Sequence, residues 1–206
     1  MIEAVASAAG IEVSRETWRR LEQYVHLLAT ENERQNLVSA STLSQVWERH
    51  VLDSAQLVGL VPPWSRSLVD VGSGAGLPGM IVALLSELSV SLIEPRRLRA
   101  DFLARTVTAL GLETRVSVIA AKAEKVEGCF DAITARAVAS IDRLLTISHH
   151  LSHERTVWLL PKGRNAKSEL VEAQRSWHCR ATSRRSITDP QSEILMLSEV
   201  GARSRR

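Results

Sequence analysis

The sequence predicts an α/β fold, a doubly wound parallel sheet preceded by a helical extension. Three observations carry this. Short apolar runs alternate with segments of helical period from Ser67 onward. The first run, Ser67-Leu68-Val69-Asp70-Val71, leads through Gly72-Ser73-Gly74-Ala75-Gly76-Leu77-Pro78-Gly79 into the apolar stretch Met80-Ile81-Val82-Ala83-Leu84-Leu85. That is the pattern of a buried strand, a tight loop and a helix N-terminus. Upstream, residues 11–60 read as helix.

Ser14 caps a first helix in which Trp18, Leu21, Val25 and Leu28 recur at helical spacing. Ser41 and Ser44 are the cap candidates of a second, carrying Val46, Trp47, Val51 and Leu52, and Val61-Pro62-Pro63-Trp64 breaks it. Residues 90–94 form a second strand, and 97–110 an amphipathic helix closed by Gly111. Strands follow at 115–119 and 130–134, a helix at 141–151, and a strand at 156–160 ending in Pro161-Lys162-Gly163. A helix over 167–177 and a late strand over 194–197 complete the pattern. The chain is expected to form one unit, with residues 1–64 as a helical cap and 65–206 as the α/β core.

The glycine loop points to a nucleotide-like ligand. Gly74, Gly76 and Gly79 fit the dinucleotide pattern G-x-G-x-x-G, so the glycines alone do not exclude NAD. Asp70, Gly72, Gly74 and Gly76 fit the alternative, acid-x-G-x-G-x-G, of S-adenosylmethionine enzymes. Charge separates the two. A pyrophosphate is repelled by an acid at the strand end, whereas a sulfonium and an ammonium are attracted by it, so Asp70 favours S-adenosylmethionine. Glu94 ends the second strand 18 residues after Gly76 and is placed to accept the two ribose hydroxyls of an adenosine.

Composition narrows the class. Apolar residues make up 45% and charged residues 24% of the 206, the mix of a globular protein, with no apolar run of membrane-spanning length. Glu3 and the lack of a basic N-terminal region lead us to expect no secretory leader. Cys129 and Cys179 have no metal-ligand spacing, which points to a reducing cytoplasm, no disulfide framework and no metal site. The net charge is +3, but from Lys162 onward ten Lys and Arg face five acids. With Arg96, Arg97 and Arg99 this suggests a polyanionic substrate. Aromatic residues are only 4%, too few for a base-stacking platform, so RNA shape and phosphate contacts would carry recognition.

Several separated motifs resemble, in order, those of the bacterial 16S rRNA guanine-N7 methyltransferases known as RsmG or GidB. They are Asn36-Leu37; Arg49-His50-Val51-Leu52-Asp53-Ser54; the loop from Asp70 to Gly79 with its Leu-Pro-Gly ending; Ala135-Arg136-Ala137; and Pro161-Lys162-Gly163. The resemblance runs from about Leu21 to Leu197. It implies a class I S-adenosylmethionine-dependent methyltransferase, Rossmann-like, acting on N7 of one guanine in the decoding-region loop of 16S rRNA, free or in the small subunit. By the same carry-over Gly72 and Leu77 line the cofactor site, Ala123 and Glu124 hold the adenine, and Arg136 sits at the methionine end. Val38 stands where many members have Thr, and Arg203, Arg205 and Arg206 lie outside the family pattern.

The chemistry asks little of the protein. Guanine N7 has a free lone pair and attacks a sulfonium methyl without losing a proton, so alignment replaces a base or a covalent cysteine. Arg136, just beyond a buried strand, is suited to a carboxylate or the RNA backbone. His50 is expected at the cleft mouth, touching substrate or orienting Asp53. Lys162 is expected to reach a phosphate, Asn36 a base, and Arg49, Arg96, Arg97 and Arg99 the RNA backbone. A monomer without membrane attachment is expected. Another RNA or a small-molecule acceptor is the alternative to 16S rRNA.

Overall fold

The computed structural model describes residues 1–203, so Arg205 and Arg206 lie outside the described residues. The chain opens with α1 (Ile2–Ala9), α2 (Arg15–Asn32) and α3 (Ala40–Leu43), then a π-helical stretch Trp47–Leu52 that runs into α4 (Asp53–Ala55). Next come β1 (Ser67–Val71), α5 (Gly79–Leu85), β2 (Ser89–Ile93), α6 (Arg97–Ala109), β3 (Val116–Ile119) and β4 (Phe130–Thr134). The last third holds α7 (Ile141–Ser148), β5 (Ser152–Lys162), α8 (Ala166–Ala173), β6 (Trp177–Arg185) and β7 (Glu193–Ala202).

Seven strands form one sheet in the order β3-β2-β1-β4-β5-β7-β6. The first five are parallel, and β7 lies antiparallel between β5 and β6. The expectation of a wholly parallel sheet is thereby corrected. No crossover helix separates β6 from β7, and strands joined by a short loop pair as an antiparallel hairpin. The helix expected over 167–177 is shorter, α8 ending at Ala173, and Trp177 instead starts β6, a strand not expected from the sequence. Its indole is buried, donates to Asp142 Oδ1 at 3.2 Å and packs on His149. Pairing with β7 draws Trp177 and the residues after it into the sheet.

The sheet divides two cores. On one side Leu68, Val90 and Leu92 meet α5, α6 and the N-terminal helices; on the other Val69, Val71 and Ile133 meet α7 and α8. This alternation along β1 sends Asp70 to the same side as Leu68. Ser14 caps α2 as expected, its Oγ accepting from Thr17 N at 3.0 Å. Neither Ser41 nor Ser44 caps the second helix. Ser39 does, accepting from Thr42 N, because helix begins at Ala40. The helix α1 was not anticipated; it buries Val5 and Ala9 and stops at Gly10.

One residue ties the N-terminal helices to the glycine loop, and a stacked pair holds the cap together. Tyr24, fully buried on α2, donates its hydroxyl to Ala75 O at 2.9 Å, reaching across to the glycine loop. Trp18 stacks on Trp47 with ring centroids 4.7 Å apart, joining α2 to the π-helical stretch.

Gly79 starts α5 where helix and strand cross closely. A Cβ there would lie 2.5 Å from Leu92 Cδ2 and 2.7 Å from Asp70 Cβ. Replacing Gly79 by alanine is therefore expected to destabilise the fold by about 1–3 kcal/mol, the usual range for overpacking a core. Urea unfolding of the variant against wild type measures it, and an unchanged midpoint would contradict this packing.

Candidate functional site

The glycine loop is held from beneath by two buried acids. Asp70, fully buried, accepts Gly79 N–H through Oδ2 at 3.1 Å, and its Oδ1 has no protein partner. Burial pushes its pKa up to about 6, against the opposing pull of the Gly79 N–H. Glu94 is 3% exposed. Its Oε2 accepts Gly74 N–H and its Oε1 accepts Arg96 N–H, each at 2.8 Å. One carboxylate thus pins both the loop and the entrance to α6. Gly72 has a φ of +72°, and a side chain on it would run into Val138.

Above this loop lies a cleft of about 460 Å³, within the range of small-molecule sites. Gly72, Ser73, Gly74, Ala75 and Leu77 form its floor, Arg49, His50, Asp53 and Arg136 one wall, and Leu37, Val38 and Arg99 another. Thr188, Asp189 and Ser192 close it from the β6–β7 loop.

Arg136 is the centre of the wall. Its Nη1 donates to Asp53 Oδ2 at 3.2 Å and to Arg49 O at 3.4 Å, while Nη2 lies 3.2 Å from His50 Nδ1. His50 and Asp53 therefore both face Arg136; the Asp53 N–H donates to His50 O, and among the described residues their side chains make no hydrogen bond to each other. Burial, reinforced by the Arg136 charge and opposed by Asp53, lowers the His50 pKa to about 4. The ring is neutral at physiological pH, so Nδ1 accepts from Arg136 and Nε2 carries the proton. That Nε2 is buried without a protein partner.

Asp53 does more than face Arg136. Its Oδ1 accepts from Thr188 Oγ1 at 2.8 Å, Gln56 Nε2 at 3.0 Å and Ser186 Oγ at 3.3 Å. Gln56 Oε1 accepts Ile187 N–H at 3.1 Å. This junction latches the β6–β7 loop onto the N-terminal cap, and Arg49 adds a 3.8 Å ion pair with Asp189. Sequence reasoning had set Asp53 aside as a partner of His50 and had missed Gln56, Ser186, Thr188 and Asp189. The Asp53 bonds span up to 135 residues, and no local pattern signals such a pairing.

The other expected residues scatter around this frame. Gly76 lies in the loop, with Leu103 and Tyr24 against it. Ala123 is buried in the turn after β3, and Glu124 there pairs with Arg143 at 3.5 Å; neither lines the cleft. Asn36 is exposed, and its carbonyl accepts from Arg99 Nη2. Arg96 and Arg97 are exposed at the start of α6. Lys162 belongs to a second, adjoining cavity, where its Nζ donates to Ala139 O at 2.8 Å and Glu169 Oε2 at 2.9 Å. Among the described residues no group of three or more His, Cys, Asp or Glu is arranged to hold a metal ion. No helix among them is long and apolar enough to cross a membrane.

Comparison with known proteins identifies the family and the fold. Residues 17–195 match the family model GidB, described as rRNA small subunit methyltransferase G. The ribosomal RNA small subunit methyltransferase G of Rhizorhabdus wittichii is 45% identical over 196 residues, spanning 94% of this chain and 90% of that protein. Its namesake in Zymomonas mobilis is 41% identical over 199 residues, spanning 92% and 89%. Among solved structures, the glycopeptide N-methyltransferase MtfA, complexed with S-adenosyl-L-methionine, superposes with a TM-score of 0.62 at 8% identity, covering 72% of this chain and 93% of that one. The ribosomal protein L11 methylase of Lactobacillus delbrueckii gives 0.59 at 15% identity, covering 73% and 78%. The fold is that of the class I S-adenosylmethionine-dependent methyltransferases.

The buried Asp70 makes a pH-dependent contribution with a definite sign. Its folded pKa of about 6 lies above the unfolded value of about 3.9. The folded state therefore binds more protons between those values, and stability is lost as pH rises through that window. An Asp70→Asn variant lacks this loss. Its stability relative to wild type is expected to climb from about pH 4 to about pH 6 and then level off. Urea unfolding at a series of pH values checks this, and a constant difference would refute the burial of a titrating carboxylate.

Proposed function

The chain belongs to the GidB family, rRNA small subunit methyltransferase G, and from that premise we propose that it transfers a methyl group from S-adenosylmethionine to N7 of one guanine in the decoding-region loop of 16S rRNA. The observation that carries the reading is the cleft over the glycine loop, backed by a buried carboxylate with one oxygen unclaimed by protein. Such an oxygen suits the ammonium or sulfonium of that cofactor and not a pyrophosphate.

S-adenosylmethionine supplies an activated methyl group on a cationic sulfur. In this reading Gly72, Gly74, Gly76 and Leu77 hold the cofactor, with Asp70 offering negative charge. Glu94 accepts its ribose hydroxyls, since each carboxylate oxygen keeps a lone pair beyond the N–H that it already accepts. Ala123 and Glu124 lie towards the adenine. Arg136 takes the methionine carboxylate or an RNA phosphate, and its bonds to Asp53 and His50 fix the guanidinium before either arrives. His50, being neutral, adds no positive charge where a cation reacts. The protein needs no base, because N7 presents a lone pair, so its work is alignment. Arg49 and Arg99 line the cleft, and in this reading they meet the RNA together with the exposed Asn36, Arg96 and Arg97. We read the enzyme as a cytoplasmic monomer acting on the small subunit or its RNA.

The direct test incubates the protein with methyl-labelled S-adenosylmethionine and small subunits from cells lacking the modification. Label at N7 of a single guanine in the decoding-region loop is the expected result. Label on a free nucleoside or another RNA, and none on the subunit, would replace the acceptor. Because the chemistry uses no thiol, Cys129→Ser and Cys179→Ser are each expected to keep kcat within about twofold of wild type. Glu94→Gln is expected to weaken S-adenosylhomocysteine binding by about tenfold, the scale of one charge-assisted hydrogen bond, as measured by calorimetry.

A further inference from the structure

The second cavity, about 430 Å³, shares Asp53, Arg136, Ala137 and Ser192 with the cofactor cleft. Its far side carries Lys162 and Glu169. The pair is unusual in its burial. The Lys162 side chain is only 10% exposed, yet its ammonium is paired with Glu169 at 2.9 Å and held by Ala139 O at 2.8 Å. Withdrawing a lysine from water to make one ion pair is costly. The arrangement leaves one ammonium proton beyond the two bonds and the Glu169 Oε1 with no hydrogen bond among the described residues. A donor thus stands beside an acceptor at the end of a cavity that opens toward the cofactor cleft.

That order of groups matches one nucleobase edge. Guanine presents O6, an acceptor, next to N1–H and N2–H, both donors. Adenine presents a donor next to an acceptor and would oppose both groups. Guanine N2 also lies on the side of the ring away from N7. A base with its Watson–Crick edge at Lys162 and Glu169 therefore turns N7 back toward the shared wall of Arg136 and Ala137. The other acids fit less well. Both oxygens of Asp53 are engaged, and Glu193, though opposite Lys162 in the sheet, is not the acid paired with its ammonium.

We propose that this cavity seats the target guanine turned out of the RNA, with Lys162 donating to O6 and Glu169 accepting from N1–H and N2–H. The proposal rests on the rRNA reading above and gives Lys162 a base to read instead of a phosphate to neutralise. It makes these two residues determinants of specificity.

The test compares small subunits reconstituted with 16S rRNA carrying either guanosine or 2,6-diaminopurine riboside at the target position. The analogue keeps N7 and the N2 amine but exchanges O6 for an amine and N1–H for a bare nitrogen. Wild type is expected to prefer guanosine by roughly a hundredfold in kcat/KM, the scale of a mismatched bidentate contact. In Glu169→Gln the side-chain amide can donate to the bare nitrogen, and the preference is expected to fall by about tenfold or more. Taking the ratio between enzymes cancels the intrinsic reactivity of each base. Equal rates on both RNAs by wild type would overturn the proposal. So would a Glu169→Gln enzyme that is slower on both with its preference intact, the mark of a purely structural residue. Should that variant fail to bind S-adenosylhomocysteine, the same ratio is taken with Lys162→Gln, whose amide oxygen can accept from the 6-amine, and an unchanged preference would overturn the proposal. Absence of methyl transfer to the guanosine subunit would remove the rRNA reading itself, and the proposal with it.

Discussion

The contact between Asp70 and the amide of Gly79 governs how this molecule is assembled. It joins the end of β1 to the first residue of α5 and sets the height of the loop between them. The glycine is required because strand and helix approach too closely for any Cβ. The helix N-terminus favours the negative charge, while burial opposes it, and the balance leaves a carboxylate that titrates near neutrality. Tyr24 completes the arrangement by holding the loop carbonyl of Ala75 from the cap side. A group this deeply buried keeps its position only because strand, helix and cap all pack around it.

The second organising feature is polar and long-range. Asp53 gathers Arg136, Gln56, Ser186 and Thr188, so the N-terminal cap, the segment after β4 and the β6–β7 loop meet at one carboxylate. Each of those three segments contributes to the cleft wall. The junction therefore couples the shape of the cleft to the docking of the cap. A wall assembled this way is fixed before ligand arrives, which reduces the ordering cost at the moment of alignment.

Charge is distributed according to task. Arg49 and Arg99 stand at the cleft, with Arg96 and Arg97 exposed nearby at the start of α6, whereas acids lie beneath the loop and at the end of the adjoining cavity. His50 sits between Arg136 and the protein interior and is kept neutral by burial and by that arginine. The cleft wall thus carries the Arg136 charge without a second cation from His50.

The amino-acid order by itself determined the strand–loop–helix unit at Asp70–Gly79, the acid ending β2, the alternation of strands and helices through β5, and the family. These are local patterns of apolar period, glycine and charge, legible because each depends on neighbours within a few turns of chain. Only the tertiary structure decided that Trp177 begins a strand, that β7 runs antiparallel, that Ser39 and not Ser41 or Ser44 is the cap, and that Asp53 holds the hairpin. Residues 178–185 are mostly polar and carry no strand signal of their own, and pairing with β7 makes them a strand. The site wall depends on hydrogen bonds between residues as many as 135 positions apart. Periodicity carries no information across such distances, since partners there are chosen by the packing of the whole sheet and not by the chain on either side.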